Sequence, residues 1–91
     1  MLRITVKKEG PRQKVLYLEG KICQEWLQEL QAEIKRGMEE GAKVILDFSK
    51  VRYLDEETAK MLHGLPSDKV EKRNSSLFIQ ELLKTDPREG K

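Results

Sequence analysis

Cysteine is almost absent from this chain. Cys23 stands alone, which excludes an internal disulfide and any CxxC metal pair. Histidine is as scarce: His63 is the single one, and no Gly-x-Ser-x-Gly elbow or similar nucleophile–base motif accompanies it. Aromatic residues are 5% of the sequence, and none is interleaved with a Lys/Arg block in the manner of a base-stacking surface. The 18 basic and 16 acidic residues are mixed along the whole length, leaving a net charge of +2. Nucleic acid is therefore not an expected partner. No apolar run approaches the roughly 18–20 residues that a membrane span needs. The start, Met1-Leu2-Arg3-Ile4-Thr5-Val6, alternates in period two and lacks the apolar region of a signal peptide. A soluble, cytoplasmic protein is expected. There is no P-loop lysine motif and no GxGxxG, so no cofactor is implied.

What is present is charge and aliphatic bulk. Charged residues are 37% of 91, enough for one small domain over 1–84, with 85–91 expected as a frayed tail. A chain of this length buries roughly 60–65% of the surface its unfolded form exposes. One layer of helices on one sheet is affordable; a large internal cavity is not.

Leu2, Ile4 and Val6 alternate with Arg3, Thr5 and Lys7, which predicts an edge strand with one buried face. Glu9-Gly10-Pro11-Arg12 is turn chemistry. Val15-Leu16-Tyr17-Leu18 is apolar on both faces, so it should be central, pair with the first strand as a hairpin, and end at Gly20. From Gln24 to Glu40, the residues Trp26, Leu27, Leu30, Ile34 and Met38 recur at helical spacing, and Gly41 suits the position after the helix. Lys43–Asp47 is a buried strand. Asp47-Phe48-Ser49-Lys50 should leave the sheet, and a second helix should run from about Asp55 to His63, stopped by Gly64-Leu65-Pro66. His63, at its end, suits a hydrogen bond to terminal carbonyls.

Lys69–Arg73 fits a short edge strand, and Asn74-Ser75-Ser76 a helix cap. The pairs Phe78/Leu82 and Ile79/Leu83 favour a third helix, the alternative being a fourth strand centred on Leu77–Ile79. The order is β-β-α-β-α-β-α. Right-handed crossovers then give an α/β fold: a four-stranded mixed sheet of order 1-2-3-4, strand one antiparallel, with about three helices mainly on one face. The expected core is Ile4, Leu16, Leu18, Trp26, Leu30, Ile34, Val44, Leu46, Leu54 and Leu62.

Chemistry concentrates where the third strand gives way to the second helix. Asp55 opens that helix, and Glu56, Glu57 and Thr58 fill its first turn. Carboxylates there complement the free N–H groups and the positive end of the helix dipole, a role they would have in any helix. Consecutive helical residues point in different directions, which disfavours these carboxylates as a metal site. Thr58 is a conceivable phosphoacceptor, though a first-turn threonine is more often simply a helix residue. Cys23 should sit near the same sheet end, as a small semi-buried residue or as a reactive thiol.

The chain resembles a STAS domain, the fold of bacterial anti-sigma factor antagonists and of sulfate-transporter cytoplasmic tails. The resemblance spans roughly Leu2 to Leu83 and rests on three places. Leu16-Tyr17-Leu18-Glu19-Gly20-Lys21-Ile22 is similar to the family's strand ending in a glycine, a polar residue and a buried aliphatic. Lys43-Val44-Ile45-Leu46-Asp47-Phe48-Ser49-Lys50-Val51 is similar to its central strand and following loop. Tyr53-Leu54-Asp55-Glu56-Glu57-Thr58 falls on the signature, usually an aromatic and an aliphatic followed by D-S-S-G or D-S-A-G. In the antagonists the second residue after the aspartate is a serine or threonine phosphorylated by a partner kinase. Glu57 stands there, Glu56 precedes it, and Thr58 replaces the glycine.

The resemblance implies a non-catalytic protein-interaction module in bacterial signalling. It would dock through Lys21, Ile22, Cys23, Asp55, Glu56, Glu57 and Thr58, without phosphorylation at the usual serine. The implied partner is a protein, a serine-kinase-like anti-sigma factor or a larger signalling or transport assembly. The alternative is a small-molecule or nucleotide sensor using the same sheet-end pocket. An enzyme is not expected, for want of a nucleophile–base pair.

Overall fold

In the computed structural model, which describes residues 2–84, the chain runs β1 (Leu2–Lys8), β2 (Gln13–Ile22), α1 (Gln24–Glu39), β3 (Lys43–Leu54), α2 (Glu56–His63), β4 (Val70–Arg73) and α3 (Leu77–Lys84). The four strands form one sheet in the order β1-β2-β3-β4. β1 is antiparallel to β2, while β2–β3 and β3–β4 are parallel. The expected topology and the third helix are both present. The tail expected over 85–91 lies outside the described residues.

Local chemistry explains the elements. The hairpin turns at Gly10, whose φ of +92° is left-handed backbone that glycine adopts without strain. α1 ends at Gly41 with φ +78°, and its N–H donates to the Met38 carbonyl at 3.0 Å. α3 opens on Ser76, whose Oγ accepts from the Ile79 N–H at 3.2 Å.

The core lies on one face of the sheet. Leu16, Leu18, Val44, Leu46 and Phe48 from the central strands meet Leu30 and Ile34 of α1, Ala59 and Leu62 of α2, and Ile79 of α3. All three helices therefore cover the same face. Ile4 and Trp26, expected inside, pack against this cluster only half-buried. On the other face, Val15 and Ile45 sit in register on neighbouring strands, and both are wholly buried. α1 approaches the sheet closely at Gly37: a Cβ there would lie 2.6 Å from Val44 Cγ2 and 3.4 Å from Lys14 Cδ.

Two expectations need correction. β2 does not end at Gly20 but runs on to Ile22, because glycine takes φ +103° there while pairing with β3 continues through Lys21↔Tyr53 and Ile22↔Leu54. β3 does not leave the sheet at Asp47; it continues to Leu54, 12 residues in all. Between Tyr17↔Asp47 and Glu19↔Lys50, β3 advances three residues while β2 advances two, and between Gly20↔Val51 and Lys21↔Tyr53 it advances two against one. Each shift is a bulge that inserts one residue into β3. Buried positions accordingly pass from Val44, Leu46 and Phe48 to Val51 and Leu54, a change of spacing from two to three.

Candidate functional site

The bulged ends of β2 and β3 deliver two helix starts side by side. Ile22 pairs with Leu54, so Cys23, the N-cap of α1, and Asp55, the N-cap of α2, follow at the same end of the sheet. Cys23 makes no side-chain capping bond. Asp55 supplies the missing one. Its Oδ1 accepts from the Thr58 N–H at 2.9 Å and its Oδ2 from the Gln24 N–H at 2.8 Å. One carboxylate thus caps both helices and faces the positive end of each dipole.

Two further bonds fasten this junction to the sheet. The Ile22 carbonyl accepts from the Asp55 N–H at 3.1 Å and from Thr58 Oγ1 at 3.4 Å. Burial works against the charged form of Asp55, but the bonds from Thr58 and Gln24 outweigh it and hold the carboxyl below its ordinary range.

The residues singled out from the sequence are brought together, yet they divide into two groups. Ile22 and Thr58 are wholly buried, Cys23 and Asp55 are half-buried, and Lys21, Glu56 and Glu57 are exposed. The first two hold the frame; the last three face solvent. Glu57 lies 4.0 Å from Lys60, with both side chains about half exposed, a pair too loose to immobilise it. Ser49, Lys50, Arg52 and Tyr53 are exposed on the adjoining stretch of β3, Tyr53 at 42%. The His63 side chain is exposed and makes no hydrogen bond among the described residues, so the expected bond to terminal carbonyls is not formed. No cluster of three or more His, Cys, Asp or Glu that could hold a metal occurs among the described residues.

Other polar groups escaped the sequence reading. Asp47, only 5% exposed, accepts from the Ser49 N–H and from Asn74 Nδ2, both at 2.9 Å. Burial opposes its charge, but Ser49, Asn74 and nearby Arg73 hold its pKa down. Asn74 takes φ +61°, a left-handed position that asparagine tolerates. Lys14 is buried beneath α1, its Nζ 3.0 Å from Glu40 Oε1, and that hydrogen bond lowers the Glu40 pKa. Gly37 within a helix was the available signal for such a close approach.

The STAS domain family model matches residues 4–84. Among solved structures, the chain is similar to the anti-sigma factor antagonist SpoIIAA in its unphosphorylated form: TM-score 0.72, 12% identity, 90% of this chain and 82% of that one. It is also similar to a DUF3478-family protein with a SpoIIAA-like fold from Shewanella loihica PV-4, with a TM-score of 0.52 and 11% identity over 81% of this chain and 69% of that one. Identities this low speak for the fold alone. No curated protein matches the chain by sequence.

Proposed function

This chain belongs to the STAS domain family, and from that premise we propose that it is a non-catalytic protein-interaction module of the anti-sigma factor antagonist kind. It works in bacterial cytoplasmic signalling and docks a protein partner through the sheet end around Gly20–Cys23 and Asp55–Thr58. The partner is a serine-kinase-like anti-sigma factor or a docking protein of a larger assembly. No helix among the described residues is long and apolar enough to cross a membrane.

The observation that carries this reading is the shared cap. Asp55 ties α1, α2 and the end of β2 into one unit, which presents Lys21, Glu56 and Glu57 on a fixed frame. A backbone fixed in advance loses little freedom on binding, so a small surface of this kind can support specific docking.

Control by phosphorylation at this loop does not fit its residues. Glu56 and Glu57 lack a hydroxyl, and Thr58 Oγ1 is buried against the Ile22 carbonyl. A glutamate carries one negative charge where phosphoserine carries nearly two and three acceptor oxygens. Binding is therefore constitutive, set by expression level, by competition between partners or by a change in the partner. The partner patch facing Glu57 is neutral or basic, because a fixed carboxylate repels an acidic one. Affinity capture from native lysate, with wild type and Glu57→Ser as parallel baits, tests the reading. Recovery of a shared partner in different yield supports it; identical yields of every retained protein reduce the loop to a helix cap.

A further inference from the structure

Two concavities meet at one side chain, Met38, the second of them at the end of the sheet away from Asp55. The first is a groove of about 460 Å³ between α1 and α2, walled by Ile34, Met38, Met61 and Leu65, with Gln31 and Lys35 beside them. The second, about 350 Å³, is bordered by Arg12, Lys43, Asp68 and Lys69, and Met38 forms part of its wall too. An apolar trough thus opens into a basic mouth.

The mouth has an excess of positive charge, three cations against Asp68. Lys43 is 3.4 Å from Glu71, but Arg12 and Lys69 are exposed and enter no ion pair among the described residues. The backbone beneath is fastened. The Lys43 N–H donates to the Arg12 carbonyl at 2.7 Å, and the Val44 N–H to the Lys69 carbonyl at 2.9 Å. These cations therefore stand on paired backbone rather than on free loops. The trough's two methionines are adaptable and polarisable, suited to chains of variable shape. Its volume falls within the roughly 300–1,000 Å³ of small-molecule sites.

We propose that this trough binds a free anionic amphiphile: an unbranched alkyl or acyl chain ending in a carboxylate or phosphate. The chain lies against Met38, Met61 and Leu65, and the head group meets Arg12 and Lys69. A monomer fits better than a membrane surface, because one head group can avoid Asp68 whereas a flat anionic layer cannot. The basic mouth borders Lys43 at the start of β3, whose 12 residues run to Leu54 beside Asp55. The trough reaches back along α1 to Gln31 and along α2 to Met61, one turn past Glu57. The head group is held at the opposite end of β3 from Asp55, so the inference does not rest on the docking role proposed there.

The test is titration of the full chain with monomeric dodecanoate, read by ¹³C resonances of the Met38 and Met61 methyls and by backbone amides. The expected result is a saturable shift of both methyls, with the Lys21 amide unmoved. The double variant Arg12→Glu/Lys69→Glu changes only exposed side chains, so it should fold normally. It should weaken binding roughly tenfold, as should replacing dodecanoate with dodecanol, since each removes a charge-assisted contact. Absence of a saturable shift overturns the proposal, as does equal binding by the double variant. Adsorption to anionic phospholipid vesicles without binding of the monomer also overturns it. So does occupation of the groove by a partner's helix with dodecanoate inert.

Discussion

The carboxylate of Asp55 accepts a hydrogen bond from the Gln24 N–H at 2.8 Å, across 31 positions of sequence, while capping its own helix through Thr58. The signature aspartate of this chain is thereby a joint between two crossovers. It orients the exposed glutamates beside it without needing to touch a partner itself.

Asp55→Ala should remove two caps at once. Single caps are each worth about 0.5–2 kcal/mol, so a loss of roughly 1–4 kcal/mol is expected in urea unfolding. A loss below about 0.5 kcal/mol, the range of an ordinary surface substitution, would show that water replaces both bonds.

The same joint sets an acid limb. The Asp55 and Asp47 carboxyls titrate below their unfolded value of about 3.9. As pH falls, the unfolded chain binds protons first. The stabilisation is complete above the unfolded value and is lost as pH drops through the folded values. Stability measured from neutral pH downward should fall most steeply below about pH 4–5. Asp55→Asn should flatten part of that slope; an unchanged slope would remove Asp55 from the account.

Gly37→Ala inverts an ordinary expectation. In a helix, alanine is about 1 kcal/mol better than glycine. Here the new Cβ would lie 2.6 Å from Val44 Cγ2, and overpacking of this kind costs about 1–3 kcal/mol. Net destabilisation is expected, relieved in the double variant Gly37→Ala/Val44→Ala. A stabilised Gly37→Ala would mean that α1 can lift off the sheet freely.

Leu46 is fully buried in β3. Leu46→Ala should cost about 2–5 kcal/mol, checked by denaturant unfolding. A loss below about 1 kcal/mol would point to a different register of the strand.

Much of this fold was legible because periodicity survives wherever an element is regular. The alternation of Leu2, Ile4 and Val6 and the stripe from Leu30 to Met38 mark their elements directly, and Asn74-Ser75-Ser76 marked the start of α3. Periodicity failed where β3 bulges. Phe48 looked like part of a departing loop, because the buried spacing shifts from two to three after it. Gly20 looked like a stop because a glycine usually ends a strand, whereas here it lets paired backbone adopt φ +103°. At the site, the cluster of Asp55, Glu56, Glu57 and Thr58 was visible as a helix start. The bond from Asp55 to Gln24 was not, since it depends on how two crossovers pack. The Asp47–Asn74 contact was hidden because it depends on the register of β3 against β4.

Thr58 offers a check on constitutive control. Its hydroxyl is wholly buried against the Ile22 carbonyl, which leaves no room for a phosphoryl group. Intact-mass and peptide mass spectrometry of protein isolated from its own cell should show no phosphate on Thr58. A stoichiometric phosphate would overturn constitutive binding.

The most direct measurement is a calorimetric titration of the captured partner with wild type, Glu57→Ser and Lys69→Glu, the last lying at the far end of the sheet. The expected result is a change in affinity of roughly fivefold or more for Glu57→Ser, the effect of about 1 kcal/mol, and none for Lys69→Glu. Equal affinities for all three proteins would contradict docking through the Asp55–Thr58 end.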